Sequence, residues 1–289
     1  MQYTRRRFLG TAAAGLTGAA LFNQLSAFAQ DEGLRLSACD WSLRAVGPQG
    51  INVAEKVGLD GLEVSAVDDG DNVKVADPHY REAYKEKVAD TGVVVSSLAM
   101  GFLNQKPFAT DSRAPQWLEQ TIDATADLSA QVILLAFFGK GDLRNEGELK
   151  ANDVDATVEI LKSLAPRAEE KGVILGLENT LSGADNLAIL DRVQSDSVLI
   201  YYDVKNSTNN GYDVPVEIRD LGDRICQIHF KNGKNYLGEE GLEMDPIAES
   251  IKAIDYKGWI VLETSVPSGD RDADFIRNAA FARELMGMA

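Results

Sequence analysis

From residue 34 onward the chain changes hydrophobic period eight times, passing from a short β-rich run to a longer run with helical spacing and back. The β-rich runs are 34–39 (LRLSAC), 60–65 (DGLEVS), 92–99 (GVVVSSLA), 131–137 (QVILLAF), 173–178 (VILGLE), 198–203 (VLIYYD), 225–230 (ICQIHF) and 259–263 (WIVLE). Several are almost wholly apolar, as strands covered on both faces must be. Helical spacing marks a short segment at 51–57 and longer ones at 78–90, 113–128, 152–170, 185–194, 245–255 and 272–287. Asp77-Pro78 and Asp245-Pro246 read as an N-cap followed by a first-turn proline, and Gly92, Gly172 and Gly258 as left-handed residues just past helices. Eight β-then-α units match the size and order of a closed (β/α)8 TIM barrel, an α/β fold of roughly 250 residues. An open doubly wound sheet is the competing fold, and it usually places a Gly-rich phosphate loop after its first strand. Here the first strand runs into Cys39-Asp40-Trp41-Ser42-Leu43-Arg44, with no G-x-G-x-x-G. The reading is one barrel domain over residues 30–289.

Residues 1–29 are of another kind. Arg5, Arg6 and Arg7 precede Phe8-Leu9 and an Ala- and Gly-rich apolar run to about Phe22, and Ala27-Phe28-Ala29 offers a small-residue cleavage site. Basic, apolar and small-residue regions in that order are those of a secretory signal, and the paired arginines resemble the bacterial twin-arginine (Tat) export motif. The apolar run is broken by Gly10, Thr11, Gly15, Thr17 and Gly18 and falls short of the ~20 residues a membrane span needs. The expectation is a cleaved signal peptide, the Tat machinery as export partner, a periplasmic or otherwise extracytoplasmic protein and no stable membrane anchor after cleavage.

Without residues 1–29 the 29 basic residues fall by three to 26, against 45 acidic ones, a net charge of −19. Such a surface repels phosphate backbones, so no nucleic-acid partner is expected. The two cysteines, Cys39 and Cys226, lie in apolar strand-like runs and read as buried free thiols.

In barrels of this kind the working residues stand at the C-terminal ends of strands. The fifth to eighth β runs finish on Glu178, Asp203, His229 and Glu263, each after two or more apolar residues. Alternation puts Ile174, Gly176 and Glu178 on one face, and likewise Leu199, Tyr201 and Asp203; Ile225, Gln227 and His229; Trp259, Val261 and Glu263. The opposite neighbours Leu177, Tyr202, Ile228 and Leu262 then face the helices. Three carboxylates and an imidazole converging on one small volume imply a cation. Oxygen and nitrogen donors suit one divalent metal ion, Mn2+, Mg2+ or Co2+ best and Zn2+ next. With no thiolate expected nearby, a structural zinc site is not indicated. The second β run ends near Glu63, and His79, at a helix start, reads as a solvated first-turn residue.

The segments Gly58-Leu59-Asp60-Gly61-Leu62-Glu63, Leu177-Glu178-Asn179, Tyr202-Asp203-Val204-Lys205-Asn206, Ile228-His229-Phe230-Lys231-Asn232 and Lys257-Gly258-Trp259-Ile260-Val261-Leu262-Glu263 together resemble the xylose-isomerase-like TIM-barrel family, the sugar phosphate isomerase/epimerase superfamily. The resemblance runs over essentially the whole chain beyond residue 29 and is most specific in its C-terminal half. It implies that Glu178, Asp203, His229 and Glu263 bind one divalent metal and that Glu178 and Glu263 are the acid–base pair. It also implies that Lys231 is a pocket or supporting cation. The sequence departs from ketose 3-epimerases at three positions. Asn206 stands where they carry a histidine, Asn235 where they carry an arginine, and Ala184 where they carry a glutamate. Glu63, Trp41 and Asn206 join Lys231 as candidates for contacting the substrate or supporting the ligands.

The leading functional expectation is a divalent-metal-dependent sugar isomerase or epimerase, abstracting a proton next to a carbonyl on a non-phosphorylated sugar or sugar derivative. The alternative is a lyase or hydratase that acts on 3-keto-glycosides by the same proton abstraction. A non-catalytic sugar-binding barrel would have lost ligands, and an apurinic endonuclease would carry more than two histidines and a basic groove. Trp41, Phe102, Phe108, Phe137 and Phe138 lie near strand ends and read either as an apolar face for a sugar ring or, as is more common, as core and loop packing. The partner expected is a small carbohydrate; a homo-oligomer is compatible with the sequence, which does not specify one.

Overall fold

The computed structural model describes residues 33–288, so the signal-peptide reading of residues 1–29 lies outside the described residues. Eight parallel strands close on themselves in a single barrel. They are β1 Arg35–Cys39, β2 Gly61–Ser65, β3 Val94–Met100, β4 Val132–Phe137, β5 Ile174–Asn179, β6 Val198–Asp203, β7 Ile225–Phe230 and β8 Trp259–Leu262. Each strand pairs with its neighbours in sequence, and β1 closes the ring against β8, Arg35 opposite Trp259 and Ala38 opposite Leu262. The helices are α1 Gln49–Lys56, α2 Pro78–Thr91, α3 Ala114–Asp127, α4 Ala151–Lys171, α5 Gly183–Val193, α6 Val204–Asn209, α7 Val214–Leu221, α8 Met244–Ala253 and α9 Arg271–Met286. None of the described helices is long and apolar enough to cross a membrane.

The helix ends follow from local chemistry in most places. The Asp77 carboxylate caps α2 by accepting from the His79 amide, and Gly92, at φ 78°, ends that helix. Gly172, at φ 67°, ends α4 in the same way. Helix α8 departs from the sequence reading. It begins at Met244, so Asp245 lies in the first turn rather than at the cap, and Asp255 rather than Gly258 takes the left-handed position after it. Gly258, at φ 148°, instead leads into β8.

Two hydrophobic layers hold the barrel. The larger lies between strands and helices and includes Leu177, Tyr202, Ile228 and Leu262, the outward neighbours expected from alternation. The smaller fills the barrel itself, with Cys39, Ala99, Leu134, Ala136, Tyr201 and Val261 at its centre. Glycine makes room for that inner layer. A Cβ on Gly61 would come within 2.7 Å of the Trp259 ring, and one on Gly176 within 2.9 Å of Cys226 Sγ.

Strict alternation fails at two places among the described residues, at Ser96 in β3, where Leu62 pairs with Val95 but Glu63 with Ser97, and in β7. Ile200 pairs with Ile225 but Tyr201 with Gln227, so Cys226 is an extra residue in β7. Ile225 therefore joins the outer layer while Cys226 packs on the inner one, correcting the sequence expectation that Ile225 shares a face with Gln227 and His229. Beyond the bulge the inward register of Gln227 and His229 is as alternation requires. Two small hairpins and helices α6 and α7 were not legible in the sequence. The hairpins, Asp68–Asp69 with Asn72–Val73 and Arg144–Asn145 with Glu148–Leu149, follow β2 and β4 and so stand at the C-terminal rim.

Candidate functional site

The last inward residues of β5, β6 and β7 and the first residue past β8 meet at the C-terminal mouth. Ligating atoms of Glu178, Asp203, His229 and Glu263 all lie within 4.8 Å of one another. The centre of the group is His229, fully buried, with Nδ1 3.3 Å from Glu178 Oε1, 3.5 Å from Glu263 Oε2 and 3.8 Å from Asp203 Oδ2. Lys231, two residues on and so on the same face of the chain, reaches Glu263 Oε2 at 2.8 Å and Asp203 Oδ2 at 3.7 Å. The Trp41 indole N–H donates to the other Glu263 oxygen at 3.3 Å.

Asp203 serves two structures at once. Its Oδ1 accepts from the backbone N–H groups of Lys205 and Asn206, capping α6. Its Oδ2 is buried and receives no hydrogen bond among the described residues. An unsatisfied carboxylate oxygen costs free energy unless something else neutralises it. Aimed at two further carboxylates and a ring nitrogen, it fits a divalent ion, and the three-oxygen, one-nitrogen donor set is suited to Mn2+, Mg2+ or Co2+.

Crowding sets the charge states of the protein groups. Burial, together with Glu263 and Glu178, pushes the Asp203 carboxyl up to about 8. Burial also raises Glu178, beside the negative Glu263. Burial works to raise Glu263 too, but the charges of His229 and Lys231 outweigh it and hold this carboxyl below its ordinary range. Burial opposes charge on His229 and on Lys231, yet the surrounding acidic groups raise both.

The cleft above this cluster has a volume of about 580 Å³ and is walled by Trp41, Phe102 and Phe138 on its apolar side, with Asn104, Asn206 and Lys231 among its polar groups. Of the five aromatics expected there, Phe108 and Phe137 belong instead to the core, stacked edge to face at 5.7 Å. A larger cavity, about 790 Å³, opens at the other end of the barrel around Ser96, Cys226 and Trp259. Two of its charged residues, Lys85 and Asp127, pair with each other at 2.8 Å, and no cluster of ligating residues lies there among those described. The cluster of ligating residues opens into the smaller cleft, through Glu178 and Glu263.

Not every expected residue touches that cleft. Glu63 is wholly buried one layer below the mouth, with Oε2 2.8 Å from His229 Nε2, so it contacts the imidazole and does not line the cleft. Asn206 does line the cleft, its amide nitrogen 3.5 Å from Glu178 Oε1. Asn235 points away and donates to the Glu240 carbonyl. Cys39 was not foreseen as a neighbour. Its Sγ lies 3.4 Å from His229 Nε2, although burial keeps the thiol protonated by raising its pKa well above the usual value. Its place at the end of β1, beside Glu63 in register, is the signal that would have found it. Cys226 is also a free thiol but is only half-buried.

Residues 51–285 match the model of the xylose isomerase-like TIM barrel family. The chain belongs to this family. Among curated proteins it is similar to 2-epi-5-epi-valiolone 7-phosphate 2-epimerase from an Actinoplanes species, 24% identical over 69% of this chain and 73% of that protein. It is also similar to L-ribulose 3-epimerase from Mesorhizobium japonicum, 24% identical over 80% of this chain and 79% of that one. Among solved structures, 3-keto-D-glucoside 4-epimerase from E. coli superposes with a TM-score of 0.72 at 16% identity, over 87% of this chain and 99% of that one, and so shares the fold.

Proposed function

We propose that this member of the family is a metal-dependent sugar epimerase or isomerase that moves a proton next to a carbonyl. The observation that carries the reading is the convergence of two glutamates from strands on either side of His229 upon a buried, unsatisfied Asp203 oxygen. Two of the curated relatives carry the names of sugar epimerases, which supports the same chemistry. Glu178, Asp203, His229 and Glu263 would hold one divalent ion, which when bound supplies stabilisation of negative charge developing on the substrate's oxygens.

The protein's own groups do the rest. Trp41, Phe102 and Phe138 offer an apolar wall for the carbon face of a sugar ring, while Asn104 and Asn206 offer hydrogen bonds to its hydroxyls. Glu263, held ionised beside Lys231, and Glu178, raised by burial, stand in unlike environments. One carboxylate removes the proton and the other returns one, and their unequal proton affinities suit them to those two roles.

A specific observation keeps a second reading in view. No arginine lines the cleft among the described residues, and Asn206 and Asn235 stand where the resemblance to ketose 3-epimerases expects a histidine and an arginine. A 3-keto-glycoside losing its leaving group after the same proton abstraction also fits such a cleft. Residues 1–29, with their paired arginines, are proposed as a Tat signal that exports the protein, so that a non-phosphorylated sugar met outside the cytoplasm is its substrate.

The test is to incubate the chain from residue 30 onward with free ketoses and with 3-keto-glycosides in deuterated water. Deuterium at the carbon next to the carbonyl of a recovered sugar supports the epimerase. Release of the aglycone or second sugar selects the lyase, and no exchange with either class sinks both.

A further inference from the structure

Beneath the four mouth residues lies a buried polar layer that the proton chemistry does not use. It contains Cys39, Glu63, Ser97 and Gln227, all fully buried. His229 belongs to both levels. Its Nδ1 faces Glu178, Asp203 and Glu263, and its Nε2 faces Glu63.

The direction of each hydrogen bond in this layer can be worked out. The Gln227 amide nitrogen has only protons to give, and it donates to Ser97 Oγ at 2.9 Å. Ser97, accepting there, is free to send its own proton to Glu63 Oε1 at 3.0 Å. The Cys39 thiol donates to Glu63 Oε2 at 3.2 Å. As a carboxylate Glu63 only accepts, and with both oxygens receiving protons from Ser97 and Cys39 the nitrogen 2.8 Å from Oε2 is a donor as well. The proton lost on metal binding is then the one on Nδ1, which faces Glu178 at 3.3 Å, and its lone pair is left for the three carboxylates' common centre while Nε2 keeps its own proton.

We infer that Glu63 is the positioning residue of the site: through Nε2–H it fixes the tautomer and ring orientation of His229, so that Nδ1 is presented as the nitrogen ligand. The inference rests on the metal-centre reading above and deepens it. Cys39, Glu63 and His229 are themselves spaced closely enough to hold an ion. The donor count argues against one there, because both Glu63 oxygens are already engaged and such an ion would require Nε2 without its proton.

The sequence has only two histidines, which makes the claim readable directly. In protein grown with ring-15N-histidine and loaded with Zn2+, long-range 15N–1H correlation separates the buried His229 from the exposed His79. The expected pattern for His229 is a protonated Nε2 whose proton exchanges slowly, with Nδ1 carrying the metal. Titration with Mn2+, read by the electron resonance of the free ion, should show one equivalent per chain in the unaltered protein. Glu63→Gln should weaken that binding by ~10–100-fold at a temperature where the variant is folded by circular dichroism.

A proton on Nδ1 in the loaded protein, a second equivalent of Mn2+, or a folded Glu63→Gln variant with undiminished affinity would each overturn the inference while leaving the mouth cluster as the metal site. If the variant does not fold, the tautomer of the unaltered protein decides alone. Failure of the unaltered protein to bind Mn2+ would overturn the metal-centre reading, and this inference with it.

Discussion

Glu178 and Glu263 approach the same ring nitrogen, His229 Nδ1, at 3.3 and 3.5 Å, from strands separated by the two that carry Asp203 and His229. The barrel brings together two carboxylates 85 residues apart in the chain and places both against one imidazole nitrogen.

That arrangement predicts the effect of removing either base. Glu178→Gln and Glu263→Gln should each lower kcat by about two orders of magnitude or more with the fold intact. Solvent deuterium should stop entering the substrate in both variants. Recovery of near-normal turnover when a Gln variant is given excess metal would show the glutamates to be ligands only.

The pH dependence of metal loading follows from the charge states. Burial and neighbouring carboxylates lift Asp203 to about 8, and the acidic surroundings of His229 raise it well above the ordinary imidazole value despite its burial. At about pH 7 both groups hold protons that a ligand must give up, so metal binding should release protons and tighten as pH rises from about 6 to about 8. The folding stability of the protein without metal should slope the other way. Both pKa values are higher folded than unfolded, so the stabilisation is complete below the unfolded values. Asp203's share is lost as pH climbs from about 4 through about 8, and His229's share from about 6.5 upward through its raised value. Calorimetric titration in two buffers of different ionisation enthalpy checks the first slope, and thermal melts after chelation check the second.

Lys231 should matter more without metal than with it. Its ammonium balances Glu263 and Asp203, a task that a bound divalent ion takes over. Lys231→Met should cost about 1–2 kcal/mol in the chelated protein and markedly less in the loaded one. Paired melts with and without metal measure the difference; an equal loss in both would refute the counter-ion role.

Gly61→Ala tests the packing of the barrel's floor. The added Cβ meets the Trp259 ring at 2.7 Å, so the ring or the strand must shift. The expected loss is about 1–3 kcal/mol, read from the denaturant midpoint, with metal stoichiometry unchanged because the site lies at the opposite end.

Much of this was legible in the chain. All eight strands begin and end within two residues of the β-rich runs, because strands sheltered on both sides must be apolar over their whole length. The four mouth residues were readable for a related reason: Glu178, Asp203, His229 and Glu263 each interrupt an apolar run at the same slot. The rest depends on contacts between strands. The extra residue at Cys226 shows only in how β7 pairs with β6, and the place of Cys39 only in its register beside Glu63. The two rim hairpins are too short to leave a period, and the short helix α6 owes its start to a cap from Asp203, a residue read first as a ligand.

The ammonium of Lys231 and the ring of His229 already lie against the acids at the mouth, so the chain carries its own counter-charges. A barrel furnished in this way would not depend on an ion in order to fold. Loading would then come last, on a finished barrel, with the donor set and the ions available there together deciding which one is held.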